Sequence, residues 1–211
     1  MRRLVIDRTP VRDVLELADA LRAGEVVAYP TDTLYGLGAD PRNARAVDRV
    51  FAIKGRPDDK PLPLIAADLA GASTAGRMTP LAMRLAARFW PGPLTLVVFA
   101  DASIAEEVHR GTGRVGIRVP DHAIARELAR RAGGVLTATS ANRSGAAATS
   151  DPDVVAELAA AGLDVLVDAG FAPGGPPSTI IDVTGEAPVL LRAGAVPWER
   201  VLEFLREPPA T

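Results

Sequence analysis

Proline and glycine punctuate this chain so closely that no secondary-structure element can run long. The 19 glycines and 18 prolines among 211 residues make up about 18% of the chain, against an average near 12%. They are spread along it and gather into no linker. Between them lie apolar runs of strand length. Val26 to Tyr29 is closed by Pro30, Leu94 to Phe99 follows the turn Pro91-Gly92-Pro93, and Val115 to Val119 ends at Pro120. Val135 to Thr139 reads as a further strand, with others near Val165, Ile180 and Leu190. Segments with apolar residues three and four apart alternate with these runs. Thr9-Pro10 reads as a helix cap ahead of Val11, Val14, Leu15, Ala18 and Leu21, and Gly24 stops that helix. Thr79-Pro80 and Asp151-Pro152 repeat the pattern, and helices are expected from Asp121 to Arg131 and from Pro197 to Arg206. Strands apolar on both faces, interleaved with helices, predict an α/β fold with a mixed sheet. Without a repeat or a linker, residues 1–211 read as a single domain, able to bury roughly 70% of its unfolded surface.

Side-chain chemistry excludes several function classes. The chain has no cysteine, which removes a disulfide scaffold, a thiolate nucleophile and a cysteine zinc site. His109 and His122 are its two histidines, too few for a three-histidine metal centre. A net charge of −2 and a pI near 5.8 argue against coating nucleic acid through an overall field. No apolar run approaches membrane-helix length. In the opening MRRLVIDR, Asp7 follows only three apolar residues, so no signal-peptide core is expected and cytoplasm is the default compartment. The segment Gly111 to Gly116 has GxGxxG spacing but leads into the strand Ile117 to Val119 closed by Pro120. A dinucleotide fingerprint would lead into a helix. There is no GxxxxGK[ST] loop and no GxSxG elbow. Asn142-Arg143-Ser144 fits a glycosylation sequon that a cytoplasmic chain would not use.

Four polar loops remain at the ends of expected strands, where α/β proteins place their sites. Tyr29 to Asp40 offers two threonine hydroxyls, with Gly36 and Gly38 permitting close backbone approach; a plain turn and helix cap would use the same residues. The loop IKGRPDDKPLPLI holds Lys54, Arg56 and Lys60, and its two lysines are the only ones among 24 basic residues. A solvated charged loop is the ordinary alternative. Arg114 and Arg118 lie four apart and so share one face of an extended strand. They repel unless an anion lies between them or each finds an acidic partner. Thr137 to Gly145 gathers Ser140, Asn142 and Ser144, donors suited to phosphate, ribose or a small polar ligand, and equally to a turn. Rich in cations and hydroxyls but poor in nucleophiles, these loops suit a multiply anionic ligand better than covalent catalysis. Phosphoryl or nucleotidyl chemistry is the natural expectation.

The same residues resemble the YrdC-type family of threonylcarbamoyl-AMP synthases. The resemblance rests on PTDTLYGLG, Lys54-Gly55-Arg56, WPGPLT from Trp90 to Thr95, RVPDH from Arg118, Ser140-Ala141-Asn142, PSTIID from Pro177 to Asp182 and LLRAG from Leu190 to Gly194. It implies a twisted mixed sheet with flanking helices around a large, positively charged cavity, in the short form without a further C-terminal domain. It also implies a reaction: L-threonine, bicarbonate and ATP, with Mg²⁺ on its phosphates, give L-threonylcarbamoyl-AMP and pyrophosphate. The product serves the adenosine beside the anticodon of tRNA, through separate transfer proteins in bacteria. Position by position, Thr33, Ile65, Arg118, Ala138 and Ser178 are expected at threonine, with Ala138 and Ser140 at the junction of both substrates. Arg56, Lys60, Arg114, Ser140, Ala148 and Arg192 are expected at ATP, with Asn142 beside them. Lys54 and Arg56 are expected to serve catalysis, Lys54 facing bicarbonate, carbamate and phosphate. Ile65 stands where some members have histidine, and Ala146-Ala147-Ala148 lacks their proline and polar residue; contact at Ala148 would be through backbone. Two rival readings are an RNA-binding module in tRNA or ribosome maturation, and a carbamoyl-adenylate step from carbamoyl phosphate. The second belongs to a related domain of larger hydrogenase-maturation proteins, whose zinc-finger and acylphosphatase parts are missing here.

Overall fold

The computed structural model describes residues 1–6, 11–55 and 60–207. The chain runs β1 (Arg2–Val5), α1 (Val11–Arg22), β2 (Val27–Pro30), β3 (Tyr35–Gly38), α2 (Ala44–Lys54), β4 (Leu64–Ala66), α3 (Leu69–Ala75) and α4 (Pro80–Phe89). It continues with β5 (Leu94–Phe99), α5 (Glu106–His109), β6 (Arg114–Arg118), α6 (Ala123–Arg131), β7 (Val135–Thr137), β8 (Thr139–Ser140) and α7 (Pro152–Ala156). A 3-10 turn (Glu157–Ala161), β9 (Val165–Asp168), β10 (Thr179–Asp182), β11 (Val189–Arg192) and α8 (Trp198–Arg206) complete it. The expected caps take hold. Thr79 accepts from the Ala82 N–H ahead of α4, and Asp151 from the Asp153 N–H ahead of α7. The Thr9-Pro10 cap lies outside the described residues.

The mixed α/β fold expected is present, its strands divided between two sheets ordered β1-β9-β2-β3-β8 and β11-β10-β5-β6-β4-β7. The run Val135 to Thr139, read as one strand, is where they join. It breaks at Ala138, so that β7 pairs with β4 in the second sheet and β8 with β3 in the first. The Ala138 N–H donates to Pro63 O at 2.8 Å, so the crossing residue leaves no buried donor unpaired. Many short twisted strands side by side would make a sheet too wide to stay open, and dividing it lets both halves cover apolar faces. Leu94, Leu96, Val98, Val115, Ile117 and Ile181 carry one face of the second sheet into a core shared with Leu37, Val47 and Leu166. On the other face, Ile65 and Leu136 pack against Tyr29 and Leu128 in a separate cluster. Beyond that cluster the face is half-open, and exposure alternates with burial along β6 and β10.

Gly194 supports this open face from behind. A Cβ there would lie 2.5 Å from the Ser178 carbonyl carbon and 2.6 Å from the Thr179 nitrogen, backbone atoms that cannot swing aside. Gly194→Ala is therefore expected to displace the start of β10, at about 1–3 kcal/mol of overpacking cost. Thermal unfolding should show a Tm lower by about 2–12 °C; an unchanged Tm would mean that this contact relaxes freely.

Candidate active site

Arg118 ends β6 with its side chain only 11% exposed. A guanidinium at that depth requires partners. Its Nη2 donates to Asp32 Oδ2, and its Nε donates to Gly92 O at 2.9 Å. Its Nη1 carries no hydrogen bond among the described residues. Burial pulls the Arg118 pKa down, and the Asp32 carboxylate pushes it back up. Asp32 Oδ2 also accepts from the Asp121 N–H at 3.3 Å, while Oδ1 is buried without a hydrogen-bond partner among the described residues. Asp32 stands in a turn built by Thr31, whose hydroxyl accepts from the N–H groups of Thr33 and Leu34 and donates to Leu34 O. This side-chain turn, common to serine and threonine, sets Thr33 beside the Asp32–Arg118 pair.

The second guanidinium comes from across the sheet. Ile180 pairs with both Arg192 and Thr95, and Leu96 pairs with Ile117. Arg192, Ile180, Thr95 and Arg118 therefore stand in one row over four strands. Arg192 donates to Ser178 O through Nε at 3.1 Å and Nη2 at 2.7 Å, and Nη2 also reaches Ser178 Oγ at 3.1 Å. Ser178 Oγ lies 2.8 Å from Thr95 Oγ1. Burial lowers the Arg192 pKa, and the Arg118 charge lowers it further. The two cations repel, and an anion placed between them would relieve both.

The sequence reading paired Arg118 with Arg114 instead. They do share a face, but four residues at about 3.3 Å each separate them by about 13 Å. Arg114 turns to Asp182 Oδ2 at 3.0 Å, and Asp182 Oδ1 accepts from the Thr184 N–H and hydroxyl. The structure thus gives each arginine its own acidic partner, and the cation nearest in effect to Arg118 is Arg192.

Lys54, at the end of α2, is 4% exposed. Its ammonium donates to Ser140 O at 2.7 Å, Asn142 O at 3.0 Å and Asn142 Oδ1 at 3.1 Å. Three N–H groups thus meet three oxygens. Asn142 Oδ1 also accepts from Ser140 Oγ, and Asn142 Nδ2 donates to Ala146 O at 2.7 Å. The Ser144 N–H returns to Lys54 O at 2.7 Å. Ser140 pairs with Gly36, and the Ala141 N–H donates to Tyr35 O, which sets this knot beside the Thr31–Leu34 turn. Half-exposed Ala138 crosses between the knot and the arginine row.

The remaining expected residues are placed less centrally. Ile65, the register partner of Arg118, is 3% exposed and packs in the apolar cluster with Tyr29. Ala148 is exposed in the loop that Tyr35 holds by donating its N–H to Thr149 O. Lys60 is exposed, and Arg56 lies outside the described residues. The loop Gly170 to Pro177 is stitched to the threonine turn, with the Gly174 N–H donating to Thr33 O and the Tyr35 hydroxyl to Gly170 O, both at 2.7 Å. Asp32, Gly92 and Thr95 were missed by sequence reasoning. The signal for Asp32 was present, as an acid flanked by both threonines of a candidate ligand loop.

His122 caps α6, its Nδ1 accepting from the Ala125 N–H at 3.4 Å, which requires the neutral ring. Burial lowers its pKa below 6.5, against the opposing carboxylates Asp32 and Asp121 and with help from Arg126. A depressed folded-state value means that the unfolded chain takes the proton first. Stability from this group is therefore complete above pH 6.5 and declines as pH falls through the folded pKa. His122→Asn keeps a capping acceptor and should flatten that limb of a Tm-against-pH curve; an identical limb in the variant would remove His122 as its source.

Among the described residues, no group of three or more His, Asp or Glu is placed to hold a metal ion. No helix there is long and apolar enough to cross a membrane.

A family model for Sua5, YciO and YrdC proteins, described as telomere recombination, matches residues 19–194. A threonylcarbamoyl-AMP synthase of Pyrococcus abyssi is 38% identical over 191 residues, 90% of this chain and 56% of that protein. One of Vibrio vulnificus is 36% identical over 187 residues, 87% of this chain and 100% of that protein. The chain thus spans little more than half of the first relative and all of the second. The structure of P. abyssi Sua5 complexed with L-threonine superposes with a TM-score of 0.89 at 35% identity, over 98% of this chain and 61% of that one. Motif order, the paired sheets and these likenesses agree, and the chain belongs to the Sua5/YciO/YrdC family.

Proposed function

We propose that this chain joins L-threonine, bicarbonate and ATP into L-threonylcarbamoyl-AMP, releasing pyrophosphate, for the adenosine beside the anticodon of tRNA. One observation carries the reading: the Arg118–Arg192 row around Ser178 faces the Lys54-ordered loop across the Ala138 crossing. Arg118 and Ser178 suit an amino-acid carboxylate and hydroxyl, while Arg192 and the Lys54-ordered loop suit a polyphosphate. The names of the relatives and the threonine-bound neighbour support it.

The threonine carboxylate takes Arg118 Nη1, and its hydroxyl lies between Thr33 and Ser178. The threonine amine attacks the carbon of bicarbonate, giving a carbamate and water, or of carbon dioxide, giving the carbamate and a proton. A carbamate oxygen then attacks the α-phosphorus in line, and pyrophosphate leaves. Both partners in that step are anionic, so the work consists of cancelling repulsion and fixing the line of attack. Arg192 and Ser140 meet the nucleotide, with Arg56, Lys60 and Arg114 on its phosphate side and Ala148 offering backbone. The half-open face between these groups is the proposed positively charged cavity. Mg²⁺ enters with ATP as part of that substrate. On the phosphates it would supply charge neutralisation for the in-line step. The tRNA and the transfer proteins meet the product rather than this site, in the cytoplasm.

The test is pyrophosphate release from ATP with threonine and bicarbonate supplied together or singly. Release is expected only with both, alongside an adenylate carrying label from each. Equal release without threonine would overturn the proposal, and salt-sensitive tRNA binding with no release would favour an RNA-binding module.

A further inference from the structure

On the basis of the proposed threonine site, we infer that Thr95 is a positioning residue for recognition of the amino acid. It makes the Ser178 hydroxyl a fixed donor, so that a ligand hydroxyl completes a one-way chain of hydrogen bonds running from Thr95 to Leu34 O.

Thr95 is 3% exposed. Leu94 and Leu96 on either side of it point into the core, so alternation along β5 puts the Thr95 side chain on the open face. Its Oγ1 lies 2.8 Å from Ser178 Oγ and has no other hydrogen-bond partner among the described residues. A hydroxyl carries one proton and two lone pairs. Were Ser178 the donor in this contact, the buried Thr95 proton would be left without an acceptor, which is costly. Thr95 is therefore the donor. Arg192 Nη2 donates to the same Ser178 oxygen at 3.1 Å, so both of its lone pairs are filled. What Ser178 has left to offer a ligand is its own proton.

The opposite polarity holds at Thr33. Thr31 spends its one hydroxyl proton on Leu34 O at 2.7 Å. In the 3.2 Å contact between the Thr31 and Thr33 hydroxyls, Thr33 is thus the donor, and its lone pairs stay open. Both ends stand beside Arg118. Thr95 is its neighbour in the row, and Thr33 follows Asp32, which accepts from Arg118. The Gly174 N–H on Thr33 O draws in the loop that runs on to Ser178. A group that accepts from Ser178 and donates to Thr33 is a hydroxyl; a methyl answers neither, and an ammonium meets a proton at Ser178. With a hydroxyl in place, every proton from Thr95 through Ser178, ligand, Thr33 and Thr31 points the same way. In such a chain each bond polarises the next.

The experiment is an NMR titration of the full chain with L-threonine and with L-valine, which keeps threonine's shape and lacks its hydroxyl. Thr95→Val removes the head of the chain at constant volume. It should weaken threonine about three- to tenfold, the loss of one net hydrogen bond, and valine by less than about twofold. Thr95→Ser restores the hydroxyl and should bring threonine affinity back close to that of the unaltered protein. Thr95→Ala makes the same deletion as Thr95→Val, with the same outcome expected, and keeps the test decisive if Thr95→Val does not fold. A merely structural role for Thr95 would weaken both amino acids alike. Equal weakening, no weakening of threonine, or no recovery in Thr95→Ser would overturn the inference and leave the proposed synthase activity standing. An unaltered protein that binds no threonine would overturn that activity, and this inference with it.

Discussion

Arg118→Gln is expected to raise the KM for threonine a hundredfold or more and to lower the Tm of the unliganded protein. The first effect follows from losing charge-assisted hydrogen bonds to a carboxylate, each contributing about 1.5–3 kcal/mol. The second follows from Asp32. Its carboxylate is largely buried and accepts from Arg118 and the Asp121 N–H, so removing the guanidinium strands a negative charge. Breaking one partner of such a pair costs about 3–5 kcal/mol, or roughly 6–20 °C in Tm at this chain length. The two effects separate in a double variant. Arg118→Gln with Asp32→Asn should recover most of the Tm, because both charges are gone, while threonine affinity stays lost. If the double variant were no more stable than Arg118→Gln, the Asp32 pairing would not be the source of the instability. Asp32→Asn alone should retain Arg118 for the ligand and lose far less affinity.

Lys54→Met should slow pyrophosphate release by a factor of about 10²–10³. Burial changes the reason from the one that sequence supports. The resemblance set the lysine to face bicarbonate, carbamate and phosphate. In the structure its ammonium donates to Ser140 and Asn142, bonds that hold their loop in shape. Methionine would leave three acceptors without their donor, each at about 1–3 kcal/mol if it stays buried, so the loop must open. Hydrogen exchange should therefore quicken at the Ser144 and Ala146 amides, which donate to Lys54 O and Arg143 O, along with the loss of turnover. Lys54→Arg should fail too. The three oxygens converge on one nitrogen within 3.1 Å, and a planar fork spreads its donors apart. Full activity in Lys54→Arg would mean that convergence is not what the loop requires.

What was legible in the sequence is what local chemistry dictates. Thr79, Asp151 and the prolines after them announce their helices, and Pro91-Gly92-Pro93 announces β5. The four polar loops were visible because hydroxyls, glycines and cations concentrate there. Three features stayed hidden, each decided between elements distant in sequence. Ala138 has no turn chemistry, and its break follows from which strand edge each neighbour finds. The Arg118–Arg192 row depends on the order β11-β10-β5-β6, which no spacing records. Arg126 reads as one more polar residue on an amphipathic helix, and only packing shows its Nε buried without a hydrogen-bond partner among the described residues.

The crossing at Ala138 has a last consequence. Adjacent Cα atoms are only about 3.8 Å apart, so a one-residue passage between two sheets leaves no slack. At that point the two sheets keep a fixed spacing. In the proposed reaction that crossing would set the spacing between the carboxylate end and the nucleotide end. The protein would then work as a jig rather than a clamp, judging an amino acid by whether its carbamate oxygen reaches the α-phosphorus in line.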